Sequence, residues 1–297
     1  MTTTCAACAL ALAAAVSANA AAETQTHVLI VVGPSNHPPG SHEVAAGGRL
    51  MQHCLNNAKN VDNVKAEIVY EWPKEEAVLD RADTVVFIGD TFPPNRFPGS
   101  DAILARLGSM MNRGCGIVCI HYATGLRAQD VGENGQHPLL QWMGGYFATS
   151  CPHHQSIAKI YRDATIECAA ADHPVSHGWS NFTLHDEPYI NNYFGNDENK
   201  LAPNVTALAV SMLPPEKPKR EVVSWCVERD DTGRGFGIVM PHFYRSWKIK
   251  ELRTFILNGI VWTAKRPVPK SGVQSDLPDL TTFKPESVEP KARSKKQ

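Results

Sequence analysis

The sequence predicts an α/β protein with a doubly wound, mostly parallel β-sheet that is flanked by helices. Short runs rich in β-branched residues, typical of buried parallel strands, alternate with segments of helical periodicity. The strand runs are residues 27–32, 64–70, 84–88 and 116–120. The helical segments between them are residues 43–58, 74–79 and 101–112. Strands and helices that alternate at these distances are joined by right-handed crossovers, which predicts a parallel sheet.

The second half of the chain is less regular. Short strands are predicted at 156–161, 164–168, 205–212, 221–227 and 235–240, and helices at 139–143 and 248–264. After Arg266 the chain is rich in Pro, Lys, Ser and Asp, which predicts a tail that is disordered or extended along the surface. We therefore expect an α/β domain at residues 23–266 and a tail at 267–297.

The first 22 residues have the pattern of a signal peptide. A short apolar stretch is followed by Ala18-Asn19-Ala20, which has the small residues of a cleavage site, although no Lys or Arg precedes it. The alternatives are an ordinary N-terminal helix or a misplaced start. The apolar run is too short for a membrane span, and export would place the protein in the periplasm or outside the cell.

Composition narrows the class of ligand. The 297 residues, 43% of them hydrophobic, can form a large core, and a net charge of -1 leaves no basic surface for nucleic acid. The glycines form neither a G-x-G-x-x-G fingerprint nor a phosphate loop, so no nucleotide cofactor is expected. Six cysteines follow the predicted cleavage site, and most of them are expected to be small buried side chains. The composition therefore favours a small ligand without high charge, and it leaves the oligomeric state open.

The apolar run 116–120 ends at His121, and small residues follow up to Gly125. This pattern predicts a sharp turn from a strand into a helix, and ligands of open α/β sheets lie beyond the carboxyl ends of the strands. A histidine at such a turn can act as an acid or a base near neutral pH. His121 is therefore the first catalytic candidate.

Histidines and carboxylates also follow other predicted strands, and parallel topology would bring these loops together. Neighbouring side chains on an extended segment point to opposite sides, so only one of Asp186 and Glu187 is expected to face the site, and we choose Glu187. The catalytic candidates are His121, Glu187 and His242. The substrate-binding candidates are His37, His42, Asp186 and Tyr189, and the candidate metal ligands are His121 and His153.

Two kinds of chemistry fit such a cluster. Imidazoles and a carboxylate could bind a divalent metal such as zinc, which polarises a carbonyl group or lowers the pKa of a water molecule. Alternatively, His121 and a carboxylate could exchange protons with the substrate without a metal. The sequence lacks a spacing such as His-Glu-x-x-His, so both readings stay open.

The order of several short motifs resembles that of the ThuA-like family, named for trehalose utilisation, over about residues 27–264. The motifs are residues 37–43, the strand and turn 114–121, 140–147, 172–175, 182–189, 233–237 and 258–262. The fold of that family resembles the class I glutamine amidotransferase domain, which is flavodoxin-like. The resemblance therefore implies the same fold class as the pattern of strands and helices.

The comparison with amidotransferases implies a different chemistry. Those enzymes have a nucleophilic cysteine at the tight turn, where this chain has His121, and Cys119 lies two residues earlier inside the strand. His242 resembles the amidotransferase histidine, but Phe243-Tyr244 replaces the Pro-Glu that would follow it. Glutaminase activity is therefore not expected.

The family resemblance implies carbohydrate metabolism. A disaccharide or a keto-sugar is the implied substrate, and a hydrolase, lyase or isomerase that uses acid/base chemistry, with or without a metal, is the implied enzyme. Two alternatives stay open: a non-catalytic carbohydrate-binding protein on the same scaffold, or a subunit of an assembly. Fold analogy alone does not decide among them.

Overall fold

The computed structural model describes residues 25–291. The predicted signal peptide at 1–22 lies outside these residues and stays a prediction. The first half of the chain alternates strands and helices as expected. Its elements are β1 (Thr26–Val32), α1 (Val44–Asn56), β2 (Val64–Val69), α2 (Glu76–Arg81), β3 (Thr84–Ile88), α3 (Ser100–Asn112) and β4 (Gly116–Ile120).

The second half adds shorter elements and one long helix. They are β5 (Gly125–Arg127), α4 (Pro138–Met143), β6 (Phe147–Thr149), β7 (Tyr161–Cys168), β8 (Phe182–Asp186), β9 (Val205–Leu213), β10 (Lys219–Glu228), β11 (Arg234–Ile238) and α5 (Lys250–Thr263). The strand predicted at 156–161 is wrong: residue 157 makes only an isolated bridge with Ile190, and Tyr161 begins β7.

The main sheet confirms the predicted α/β class. Within residues 25–291 it has nine strands in the order β2-β1-β3-β4-β11-β10-β9-β7-β8, and β5 pairs with β6 in a small separate sheet. The first five strands are parallel, and the remaining pairs are antiparallel. In the antiparallel half, β9, β10 and β11 are joined by the loops 214–218 and 229–233. These loops are too short for the crossover that a parallel pair needs.

Four parallel strands, β1, β3, β4 and β11, are buried along most of their length because helices pack on that half of the sheet, whereas β2 at the edge is only partly buried. β3 and β4 are buried at every position, as expected for strands of continuous apolar sequence. In α1, Gly47 and Gly48 allow close packing on the sheet, since a Cβ atom on Gly48 would come within 2.8 Å of Ile68. α5 is buried from Thr254 to Thr263 and closes the core on its side.

The cysteines behave as the sequence predicts. All six in the described residues are free thiols, and all except Cys168 are buried. Among residues 25–291, no helix is both long and apolar enough to cross a bilayer.

The C-terminal strap, residues 280–291, begins with a short 3-10 helix, Leu280–Phe283, and packs against the domain. Leu280 and Phe283 are buried in the core. The carboxylate of Glu43, at the start of α1, accepts hydrogen bonds from the backbone amides of Glu286 and Ser287, both at 2.9 Å. The amide of Lys291 then bonds to the carbonyl oxygen of Pro39 at 2.9 Å. The strap is thereby fixed against the loop that follows β1.

Replacing Glu43 with Ala should release this strap. The carboxylate also accepts the amide of Gly40 at 2.8 Å, and a hydrogen bond to a charged group contributes about 1.5–3 kcal/mol. We expect a loss of roughly 1–3 kcal/mol in the free energy of unfolding. The amides of Glu286 and Ser287 should exchange with deuterium much faster.

Glu289→Ala is the control, because Glu289 forms an exposed ion pair with Arg245 that is expected to contribute under about 1 kcal/mol. Urea denaturation and hydrogen-exchange mass spectrometry measure both effects. Equal exchange in the two variants would show that Glu43 does not hold the strap.

Candidate functional site

The polar residues at the carboxyl ends of the strands converge as the topology requires. His37 and His42 lie in the loop after β1, Asp90 follows β3, and His121 follows β4. Glu187 comes directly after β8, and His242 comes four residues after β11. These loops come from distant parts of the chain and meet at one edge of the sheet, where α/β proteins bind ligands.

His121 occupies a strained turn. Its backbone φ is +50°, a left-handed conformation that is costly for a residue with a Cβ atom. The side chain is buried, and its Nδ1–H donates to the carbonyl oxygen of Val239 at 2.9 Å. Because a carbonyl oxygen can only accept, the proton lies on Nδ1 and Nε2 carries a lone pair.

His42 is oriented by Asp90. Its Nδ1–H donates to one carboxylate oxygen of Asp90 at 2.5 Å, and His37 donates from Nδ1 to the other oxygen at 2.9 Å. Burial opposes the charge on Asp90, but these two hydrogen bonds hold the pKa of its carboxyl well below the usual range. Asp90 is therefore an ionised acceptor, which leaves Nε2 of His42 with a lone pair.

Three imidazole nitrogens then face one another. Nε2 of His42 lies 2.9 Å from Nε2 of His121 and 2.9 Å from Nδ1 of His242, and the latter two are 3.2 Å apart. Burial lowers the pKa of His42 to about 4 and that of His121 well below its ordinary value, so both rings are neutral. Two neutral nitrogens that each present a lone pair at 2.9 Å repel unless a cation lies between them.

The spacing fits a metal ion. Two nitrogen atoms bound to a tetrahedral zinc at ~2.0–2.1 Å lie ~3.3 Å from each other, close to the separations found here. Oε2 of Glu187 lies 3.1 Å from Nδ1 of His242 and 3.8 Å from Nε2 of His121. The ligand atoms of these three histidines and Glu187 all lie within 4.8 Å of one another. We call the four residues the histidine cluster.

The adjacent carboxylates separate as expected from an extended segment. Glu187 points into the cluster, whereas Asp186 points into the protein and is fully buried. Oδ1 of Asp186 accepts the amides of Glu187 and His242, both at 2.7 Å, and its other oxygen accepts the hydroxyl of Ser246. The expectation that Asp186 binds substrate is therefore corrected: its oxygens are committed to backbone and hydroxyl donors and do not reach the pocket.

A cavity of about 620 Å³ adjoins the cluster, and two cluster residues, Glu187 and His242, line it. Tyr189, expected to bind substrate, stacks on His121 with its ring centroid 4.4 Å away, and its hydroxyl donates to Nε2 of His121 at 3.0 Å. The cavity lining combines aromatic and aliphatic side chains with histidines, a carboxylate and hydroxyl groups. The lining includes His37, Tyr122, Phe147, Ile160, Glu187, Tyr189, His242, Phe243, Pro290 and Lys291.

His153, predicted as a metal ligand beside His121, does not belong to the histidine cluster. Its Nε2 lies 2.9 Å from the hydroxyl of Tyr146, and its ring packs against Tyr193. The prediction of a His121–His153 pair is therefore corrected. His153 lies four residues beyond the end of β6, and its contacts with Tyr146 and Tyr193 hold its ring away from the cluster.

Sequence reasoning missed Asp90, which orients two histidines. The signal was present, because Asp90 is the second residue after β3 and obeys the same rule that selected His121. It also missed Tyr122, which follows His121 and lines the cavity. An aromatic residue there is indistinguishable by sequence from a core side chain.

Comparison with known proteins agrees with this architecture. The family model described as trehalose utilisation, ThuA, matches residues 27–263. A crystal structure of a ThuA-like protein from Bacteroides uniformis matches with a TM-score of 0.60 and 17% identity, over 86% of this chain and 98% of that one. Among curated protein sequences, none matches the chain significantly.

Two more distant structures are also similar. A glutamine amidotransferase from Thermotoga maritima matches with a TM-score of 0.43 and 10% identity, over 81% of this chain and 96% of that one. The carbohydrate deacetylase Agd3 matches with a TM-score of 0.49 and 10% identity, over 82% of this chain and 33% of that one. The family match spans nearly the whole α/β domain, and the chain therefore belongs to the trehalose-utilisation family, ThuA.

Proposed function

We propose that the protein is an exported, metal-dependent enzyme of carbohydrate metabolism that acts on a disaccharide or a keto-sugar. The strongest support is that Nε2 of His42 and Nε2 of His121 lie 2.9 Å apart and each carries a lone pair. Hydrogen bonds from Nδ1 of each ring hold them in this position. Metal-binding histidines characteristically donate their second N–H to a carboxylate or a carbonyl group. Asp90 and Val239 are such acceptors.

In this proposal His42, His121 and His242 hold the metal and Glu187 is the general base. Catalytic zinc sites use three protein ligands and leave one position for water or substrate. A divalent ion bound here would polarise a substrate oxygen or lower the pKa of a water molecule. Glu187 lines the cavity with its side chain 16% exposed, so its carboxylate can take a proton from a bound molecule.

The cavity favours a small neutral substrate. Its volume lies within the usual range for small-molecule sites, and a lining of aromatic and polar side chains suits the apolar faces and hydroxyl groups of a sugar. The family description supports carbohydrate metabolism. The signal-peptide pattern of residues 1–22 supports a periplasmic or secreted location. No nucleic acid or nucleotide cofactor belongs to this proposal.

Glutamine hydrolysis is not part of the proposal. Cys119 is fully buried within β4, and burial raises the pKa of its thiol well above the ordinary value. A thiol without thiolate character and without access to the cavity is a poor nucleophile. The residue at the turn is His121, which takes a ligand position instead.

The test is turnover of trehalose and of keto-disaccharides by the metal-loaded protein, the chelator-treated protein and the Glu187→Gln variant. We expect turnover only in the metal-loaded protein, and a loss of roughly 100-fold or more in Glu187→Gln, since general-base catalysis contributes about 10²–10⁴-fold. The variant should keep its metal. Sugar binding without turnover in every sample would support the carbohydrate-binding alternative and contradict the enzyme proposal.

Asp90→Ala should weaken metal binding although Asp90 is not in the histidine cluster. Loss of the carboxylate that orients a ligand histidine costs about 10–100-fold in metal affinity. The matched control is Asp80→Ala, because Asp80 is an exposed carboxylate bound to Arg106. Competition with a chromophoric chelator measures both affinities. Equal affinities in the two variants would contradict the assignment of Asp90 as the orienting group.

A further inference from the structure

Tyr189 holds its hydroxyl against the histidine cluster. The side chain is buried between His121 and Phe147, with ring centroids at 4.4 and 4.0 Å, so it has little freedom to rotate. Among the described residues, the hydrogen-bond partner of its hydroxyl is Nε2 of His121, at 3.0 Å. This is the same nitrogen that faces His42 and His242.

The single lone pair on Nε2 of His121 cannot bind a metal ion and accept a hydrogen bond from Tyr189 at the same time. If Nε2 of His121 binds a metal, it can no longer accept the hydrogen bond of Tyr189, because Nδ1 already holds the proton that is donated to Val239. The hydroxyl would then be a buried donor without an acceptor, a state that costs about 1–3 kcal/mol. An oxygen atom of a molecule bound at the cluster would restore the hydrogen bond.

We propose that Tyr189 donates a hydrogen bond to the substrate oxygen bound at the histidine cluster, and that the site therefore selects substrates that present a carbonyl oxygen there. This inference rests on the proposed function and names the substrate class within it: a keto-sugar rather than an unoxidised disaccharide. A phenol hydroxyl is protonated at neutral pH, and stacking between His121 and Phe147 fixes this one against the cluster as a donor. When negative charge develops on that oxygen, a donor fixed in a dry site stabilises it more than water would.

Selectivity for a carbonyl follows from the number of donors and acceptors. A carbonyl oxygen can only accept hydrogen bonds, so it can accept the one proton that the hydroxyl of Tyr189 donates. A sugar hydroxyl at the same place also brings a proton of its own, which would bond to the carboxylate of Glu187 and occupy the group that serves as the base in this proposal. Tyr189 is in this account a catalytic hydrogen-bond donor, and Glu187 remains the base.

The test uses cobalt(II) as the metal and acetohydroxamate as a probe that binds the metal through its oxygen atoms. The visible spectrum of the cobalt-loaded protein reports both metal binding and hydroxamate binding. We expect Tyr189→Phe to bind cobalt within about threefold of the unsubstituted protein, and acetohydroxamate roughly tenfold more weakly, as for the loss of one hydrogen bond to a charged group.

Tyr146→Phe is the control, because Tyr146 is a buried tyrosine whose hydroxyl bonds to Gly135 and His153 outside the cluster. Unchanged hydroxamate affinity in Tyr189→Phe, with cobalt still bound, would overturn the role of Tyr189 and leave the metal proposal intact. Failure of the unsubstituted protein to bind cobalt would overturn the metal proposal itself, and this inference with it.

Discussion

His121→Ala is expected to weaken metal binding by roughly 100-fold. Zinc sites with four protein ligands bind with roughly 10–16 kcal/mol, so the loss of one of the three histidine ligands proposed here should remove about 3 kcal/mol, which corresponds to that factor in affinity. Turnover should fall below detection, because the substitution also removes the contacts of Nε2 of His121 with Nε2 of His42 and Nδ1 of His242. Elemental analysis of protein purified without chelator measures the loss.

The backbone of His121 requires a second variant. Its φ of +50° is unfavourable for Ala, whereas Asn tolerates the left-handed region, so His121→Asn guards against simple misfolding. His153→Ala is the matched control, since His153 lies outside the cluster and should leave the metal content unchanged. Loss of metal in His153→Ala with retention in His121→Asn would reverse our assignment.

Asp186→Ala is expected to have the largest effect on stability. The carboxylate is fully buried, and burial raises its pKa, partly offset by the hydroxyl of Ser246 and by backbone amides. Its removal leaves the amides of Glu187 and His242 without an acceptor. Breaking a buried charged network of this kind costs about 3–5 kcal/mol.

Urea denaturation of Asp186→Ala and of His185→Ala measures the difference. His185 is the exposed neighbour on β8, and its replacement should change the free energy of unfolding by under about 0.5 kcal/mol. The metal affinity of Asp186→Ala should also fall, because the amides it releases position Glu187 and His242. A stable Asp186→Ala protein with altered sugar affinity would instead favour the substrate-binding role expected from sequence.

The parallel half of the sheet could be predicted because its signal is local. Each of β1, β3 and β4 is a short apolar run, and β1 and β3 are each followed by a loop and a helix. The antiparallel half was harder to predict, because its strands are recognised by alternation but their order depends on pairing between distant segments. The only local indication was the length of the loops 214–218 and 229–233, which are too short for a crossover.

The expectation that ligands lie beyond the carboxyl ends of the strands located much of the site. It selected His42, His121, Glu187 and His242, which the structure brings together. It could not assign a role to each histidine. Which ring nitrogen faces the site depends on hydrogen-bond acceptors that cannot be recognised from sequence, such as the carbonyl oxygen of Val239. His42 was assigned to substrate binding for that reason, whereas its Nε2 belongs to the cluster.

The strap is a second feature that sequence could not place. Residues after Arg266 have the composition of a disordered tail, yet Leu280 and Phe283 are buried and Pro290 lines the cavity. A few apolar side chains and a carboxylate at the right distance, Glu43, are enough to hold an extended segment. Composition averages over the segment and does not reveal such anchors.

The proposed metal site can be located directly by anomalous X-ray diffraction from crystals of protein purified without chelator, recorded on both sides of the zinc absorption edge. We predict one anomalous peak at about 2.0–2.1 Å from Nε2 of His42, Nε2 of His121 and Nδ1 of His242. A control data set from His121→Asn crystals should lack the peak. A zinc-soaked crystal with no anomalous density among these three nitrogens would contradict the account.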